Sequence, residues 1–258
     1  MKSTKLSVEI NFKLNLFYHL EKLSGSVPQR FNQKYATEFS NFEKLSKEFG
    51  WEFDPQNISW YFKKAIGKKK RLKKCMSEFE KRVERILLKS SRLYKPLWKK
   101  EIEPKLKNFS KKIDKNFVLD TLNKIETFTN LPFPREIKIY LIEALSFEYK
   151  FGAEPVPPNG IAIGRTNDNK LLKLAITHEL VHLNLMNRII KQIPKKYRKD
   201  ESKINEAITD IITFRVLNIP LPKKTRNPYV KLFQVHLEDV KSIGNWKKFI
   251  GKILSEKE

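Results

Sequence analysis

Residues 171–188 read LLKLAITHELVHLNLMNR, with His178-Glu179-Leu180-Val181-His182 at the centre, an H-E-x-x-H spacing. Apolar residues occupy nearly every position around it, which predicts a buried helix. Residues four apart on a helix lie one above the other on the same face. Both imidazoles can then reach one point in space, and Glu179 can reach a water held there. Two imidazoles and a carboxylate are costly to bury without partners. A metal ion supplies such partners. Zinc takes neutral imidazole readily, and two histidines at i and i+4 leave positions for a third ligand and a water. The chain has four histidines, and two of them are spent here.

Asn205-Glu206-Ala207-Ile208-Thr209-Asp210 reads N-E-x-x-x-D and begins 23 residues after His182. Glu206 and Asp210 are again i and i+4, so a helix presents both carboxylates on one face. One carboxylate can complete a His2Glu metal site, and the other can accept the N–H of a ligating histidine. Together HELVH and NEAITD resemble the gluzincin zinc metallopeptidases, the thermolysin-like clan. The resemblance covers about forty residues, His178 to Phe214. It implies one catalytic Zn2+ held by His178, His182 and Glu206, with Asp210 behind His178 and Glu179 as general base. It also implies a zincin-like catalytic domain: a small twisted sheet, an active-site helix and C-terminal helices.

Two relatives sharing the first half do not fit. The metzincin pattern needs glycine at 185 and histidine at 188, where this chain has Leu185 and Arg188. Peptide deformylases take a cysteine ligand from upstream, and the sole cysteine, Cys75, stands about a hundred residues earlier in a lysine-rich stretch. In the thermolysin-like enzymes a histidine from the C-terminal helices stabilises the oxyanion and a tyrosine assists. His236 and Tyr229 are the candidates for that part. An edge strand lines the cleft in such enzymes and pairs with extended substrate. Gly160-Ile161-Ala162-Ile163-Gly164 occupies that place in chain order, with glycines that let a peptide approach closely.

Composition bounds the remainder. The chain has 258 residues, 40% of them hydrophobic, enough for a packed core. Scarce glycine and abundant charge point to a predominantly helical α+β protein. The opening MKSTKLSVEINFKLNLFYHLEKL has no uninterrupted apolar run, so no signal peptide is expected. No stretch is apolar for long enough to span a membrane, so no transmembrane segment is expected. One cysteine fits a reducing compartment, and a cytoplasmic location is expected.

The formal net charge is +24, with 42 lysines against 11 arginines. Such a field attracts nucleic acid, anionic membranes or acidic polypeptides. Lysine without interleaved arginine and aromatic residues is weak ground for a specific nucleic-acid site, and a lysine-rich proteome explains it as well. The favoured function is therefore peptide-bond hydrolysis of a peptide or protein substrate. The alternative is a nucleic-acid- or ribosome-associated basic protein with a peptidase-like or structural zinc site.

Along the chain, Leu6, Val8, Ile10 and Phe12 alternate as in a short strand, and an apolar helical run follows. His19 in that run reads as a core residue. Helices are expected over 30–49, 54–66 and 68–97, the last carrying a basic face, Lys68 to Lys74. Pro96 and Pro104 punctuate. Residues 105–130 are helical in pattern, with Leu106, Phe109, Ile113 and Phe117 inward and a break expected near 118–121. Leu131-Pro132-Phe133-Pro134 reads as the boundary between a helical, lysine-rich region (1–130) and a metallopeptidase domain (131–258). After it Ile137, Ile139 and Leu141 alternate as a strand. Helices are expected at 202–217, 228–239 and 244–255.

Overall fold

The structure, a computed structural model, describes residues 4–16, 18–19, 81, 88, 91–92, 94–146, 151–156, 158–185, 188, 192–222, 225–237 and 245–255. The helices expected at 30–49 and 54–66, most of 68–97 with its basic face, and Cys75 lie outside the described residues.

In chain order the elements are β1 (Lys5–Glu9), a π-helical turn (Trp98–Ile102), α1 (Glu103–Ser110) and α2 (Lys115–Thr129). Next come β2 (Glu136–Leu141), a 3-10 turn (Glu143–Leu145), β3 (Ala153–Val156) and β4 (Gly160–Ile163). The metal motifs fall on α3 (Asn169–Leu185) and α4 (Glu201–Val216), the latter preceded by a 3-10 helix (Lys195–Asp200). Last are α5 (Pro228–Leu237) and α6 (Trp246–Ser255). The architecture is α+β and mostly helical, with one small mixed sheet.

The chain forms two compact units, each discontinuous in sequence: 1–6, 114–137 and 168–258 in one, 7–113 and 138–167 in the other. The boundary expected at Leu131–Pro134 therefore falls inside a unit, because the α2 segment that precedes it packs on α3 and α4.

Most of the sheet falls in the unit of residues 7–113 and 138–167, with strand order β1-β2-β4-β3. β4 runs parallel to β2, with Ile139 opposite Ile161, and antiparallel to β3, with Val156 opposite Gly160. All four residues of β4 are buried, as a strand paired on both sides should be. At its amino end a side chain on Gly160 would meet the Tyr140 ring at 2.8 Å and the Lys138 carbonyl at 3.0 Å.

Beyond the carboxyl ends of the parallel strands, Glu143 receives two hydrogen bonds from Arg165, at 2.7 and 2.8 Å. The Glu143 side chain is 2% exposed, and the bidentate geometry answers its buried charge. Asn15 donates to the Leu141 carbonyl at 2.9 Å and accepts the Glu143 N–H at 2.8 Å. Gly164 sits so close to this corner that a Cβ would lie 1.7 Å from the Leu145 carbonyl oxygen.

The same unit explains its π turn. Tyr94, Trp98, Ile102 and Leu106 are all buried, at a strict spacing of four. An α-helix advances about 400° in four residues, so the seam would slip about 40° at each step. A wider turn keeps the four on one face. Glu103 N–H bonds to the Trp98 carbonyl five residues back, and Pro104 has no N–H to place. Pro96 and Pro104 thus lie within helical turns instead of ending them. His19 is buried against this seam, its Nδ1 3.3 Å from the Tyr94 hydroxyl, and burial lowers its pKa to about 4.

In the other unit, α4 packs against α3 and α5, α2 packs on α3 and α4, and α6 packs on α5. The break expected at 118–121 comes earlier. Asp114 caps α2 by accepting the Phe117 N–H at 3.0 Å, which resets the helical phase. Val118 consequently takes the inward position, and Phe117 is only half-buried. Asn130 ends α2 in the left-handed conformation, φ 53°. The segment after it is tied to α3 by the Asn184 amide, which donates to the Leu131 carbonyl at 2.8 Å. Trp246 donates its indole N–H to the Thr129 carbonyl at 3.0 Å.

Two glycine substitutions should move stability in opposite directions. Gly164→Ala forces backbone apart and should cost about 2–3 kcal/mol. Gly251→Ala, inside α6 with open space where the methyl would go, should add about 0.5–1 kcal/mol. Urea unfolding of the two variants beside wild type measures both.

Candidate metal centre

α3 follows Asp168, whose carboxylate accepts the N–H groups of Lys170 and Leu171 at 2.8 and 3.0 Å. From there it runs unbroken through the HELVH residues. Leu172, Ile176, Leu180, Val181 and Leu183 are buried, so the helix is held firmly and its two histidines have little freedom. α4 buries Ile204, Ala207, Ile208, Ile211 and Ile212, a stripe at helical spacing. Asn205, Glu206, Thr209 and Asp210 flank that stripe.

The two helices meet antiparallel at these residues: His178 faces Glu206 and Asp210, and His182 faces Asn205, Glu206 and Thr209. His178 Nε2 lies 3.6 Å from Glu206 Oε2, and His182 Nε2 lies 3.2 Å from Glu206 Oε1. The imidazole planes stand at 80°, centroids 4.6 Å apart. One donor atom from each of His178, His182 and Glu206 lies within 4.8 Å of the others, the one such group among the described residues.

These separations are longer than a close charge-assisted hydrogen bond. A charge-assisted N–H···O bond closes to about 2.7–2.9 Å. Ligands about 2.0–2.1 Å from a tetrahedral zinc stand about 3.3 Å from one another. The 3.2 and 3.6 Å distances run to different oxygens of Glu206, and one donor atom from each residue lies within 4.8 Å of the others, close enough to share one ion. Two imidazole nitrogens and a carboxylate oxygen are also the ligand chemistry zinc accepts while keeping a position open. The donor set fits the ion.

The outer nitrogens are held as well. His178 Nδ1 lies 3.4 Å from Asp210 Oδ1. His182 Nδ1 lies 3.3 Å from both Asn205 Nδ2 and Thr209 Oγ1. Asp210 thus stands where the resemblance puts it. Asn205 and Thr209 were missed, although the same i, i+4 spacing, one residue earlier in the motif, was a usable signal. Glu179 is buried, 6% exposed, beside His178.

Electrostatics follow the geometry. Burial pushes the His178 imidazole down, but contacts with Asp210 and Glu206 and the charges of Glu179 and Glu206 outweigh it, raising the pKa to about 10. Hydrogen bonds from His178 and His182 hold the Glu206 carboxyl well below the usual carboxylate range.

The other expected site residues lie elsewhere. Tyr229 is buried in α5, and its hydroxyl donates to Asp200 Oδ2 at 2.8 Å. Asp200 precedes Glu206 by six residues, about 9 Å along a helix. His236 lies in the last turn of α5, outside the ligand group. Gly160–Ile163 form β4, an interior strand flanked by β2 and β3, and Gly164 lies just beyond it. Their backbone groups are already paired, so the expected substrate edge is not there; the edge strands are β1 and β3.

Comparison with models of protein families, with curated proteins and with solved structures gave no match.

The raised His178 pKa has a measurable sign. Its folded-state pKa exceeds the ordinary 6.5, so the ion-pair stabilisation of the metal-free protein is complete below about pH 6.5 and is lost as pH rises through about 10. At about pH 8 zinc must then displace the His178 proton, and uptake should release about one proton. Titration calorimetry in buffers of different ionisation enthalpy reads that number, and Glu206→Gln should reduce it.

Proposed function

We propose that the chain is a zinc-dependent peptidase with a zincin-like catalytic unit, hydrolysing peptide bonds of a peptide or protein substrate. The observation that carries this reading is the convergence of His178 Nε2, His182 Nε2 and the Glu206 carboxylate beside the buried Glu179. A structural zinc site has no need of a buried carboxylate next to its ligands, whereas a hydrolytic one needs a base.

In this reading His178, His182 and Glu206 hold the ion. Bound zinc supplies Lewis acidity and lowers the pKa of a coordinated water to about 7. Asp210 accepts the Nδ1 proton of His178 and so keeps its Nε2 lone pair directed inward. The Glu179 carboxylate takes a proton from the attacking water and returns it to the leaving amine. No described helix is long and apolar enough to cross a membrane.

A second reading has one observation behind it. Between Lys95 and Lys112 seven lysines are exposed, with Glu101 and Glu103 as the only acids in that span. Binding of polyanions there would fall steeply with salt.

Metal analysis of protein purified without added zinc tests the first reading. Wild type and Glu179→Gln should carry about one zinc each, and Glu206→Ala should lose most of it. Against a peptide library, Glu179→Gln should cleave about 10²–10⁴-fold more slowly than wild type. A wild type that neither carries nor takes up zinc sinks the reading.

A further inference from the structure

We propose that Thr209 is a positioning residue for His182: its hydroxyl accepts the Nδ1 proton and so keeps the Nε2 lone pair turned toward Glu206. The inference rests on the metal-site reading above and concerns how the second histidine is set for the ion.

A neutral imidazole has one N–H and one lone pair, and the partner of the outer nitrogen decides which nitrogen keeps the lone pair. At His178 that partner is Asp210, a carboxylate, which can only accept. The proton must sit on Nδ1, and the ring is ready for a metal. Against His182 Nδ1 no carboxylate stands among the described residues. Two neutral groups stand 3.3 Å from Nδ1, the Asn205 amide through Nδ2 and the Thr209 hydroxyl.

These two neighbours ask for opposite tautomers. An amide NH2 can only donate, which would put the lone pair on Nδ1 and the proton on Nε2, facing Glu206 Oε1 at 3.2 Å. A hydroxyl can accept, which puts the proton on Nδ1 and frees Nε2. Of the two atoms placed against Nδ1, Thr209 Oγ1 is the one compatible with a metal on Nε2. Its position suits the task, since Thr209 is wholly buried on α4 and His182 is 9% exposed. Little water can take the hydroxyl's place. The buried Oδ1 of Asn205 has no hydrogen-bond partner, so a turned-over amide is the rival acceptor.

The test pairs Thr209→Val, which keeps the shape and removes the hydroxyl, with Thr209→Ser, which keeps the hydroxyl. Zinc affinity is read by competition with a chromophoric chelator. The His182 tautomer is read from side-chain ¹⁵N shifts in zinc-free and zinc-loaded protein. Expected are a loss of about 10–100-fold in affinity for Thr209→Val, near-wild-type affinity for Thr209→Ser, and a protonated Nδ1 on His182 in the loaded wild type. A Thr209→Val protein that binds zinc as tightly as wild type overturns the proposal and makes the Asn205 oxygen the acceptor. A bare Nδ1 on His182 in loaded wild type overturns it too, and decides alone if Thr209→Val fails to fold. A wild type that takes no zinc fails the metal reading itself, and this proposal with it.

Discussion

The carboxylate of Glu206 placed between two imidazoles is the constraint on which the helical unit turns. α3 and α4 both bury long apolar stripes, and packing alone would let them slide past one another by a helical turn at modest cost. The polar row admits one register. His178 must find Glu206 and Asp210 while His182 finds Glu206, Asn205 and Thr209. Any slip would leave the imidazole nitrogens without these partners, at a cost of about 1–3 kcal/mol where they are buried. The apolar stripes supply the driving force for the helix pair, and the polar row supplies its alignment.

What was legible in the sequence was the part governed by helical periodicity. HELVH and NEAITD each declare one helix face, and the structure brings those two faces together. The strand at Ile137–Leu141 and the helices after Pro220 were equally readable. Less legible were features decided by a single local contact. Asp114 restarts α2 four to seven residues before the break that the apolar pattern suggests. Periodicity registers such a reset only after a full turn has passed. The spacing of four through Tyr94, Trp98, Ile102 and Leu106 was present in the sequence, but Pro96 and Pro104 suggested breaks where the chain instead widens its helix.

Strand order is the clearest limit. The run Gly160-Ile161-Ala162-Ile163 carries no polar residue on either face, which is the mark of a strand covered on both. Its place in the chain just ahead of α3 argued for an edge, and the two signals conflicted. Burial of all four residues resolves the conflict in favour of the interior. Tyr229 teaches the related lesson for side chains. An aromatic hydroxyl in the right region of the sequence is no guide to its partner, and here Asp200 holds it.

The interleaving of the two units has a consequence for how the protein is made. Synthesis delivers residues 7–113 and 138–167 before most of the unit that carries α3 and α4. The α2 segment emerges early and must wait for about forty further residues before α3 offers it a surface to pack on. Folding of the helical unit is therefore governed by contacts distant in sequence, a slow topology for a mostly helical chain. In the interval the apolar face of α2 is exposed on the nascent chain, and that is where a chaperone would be needed most.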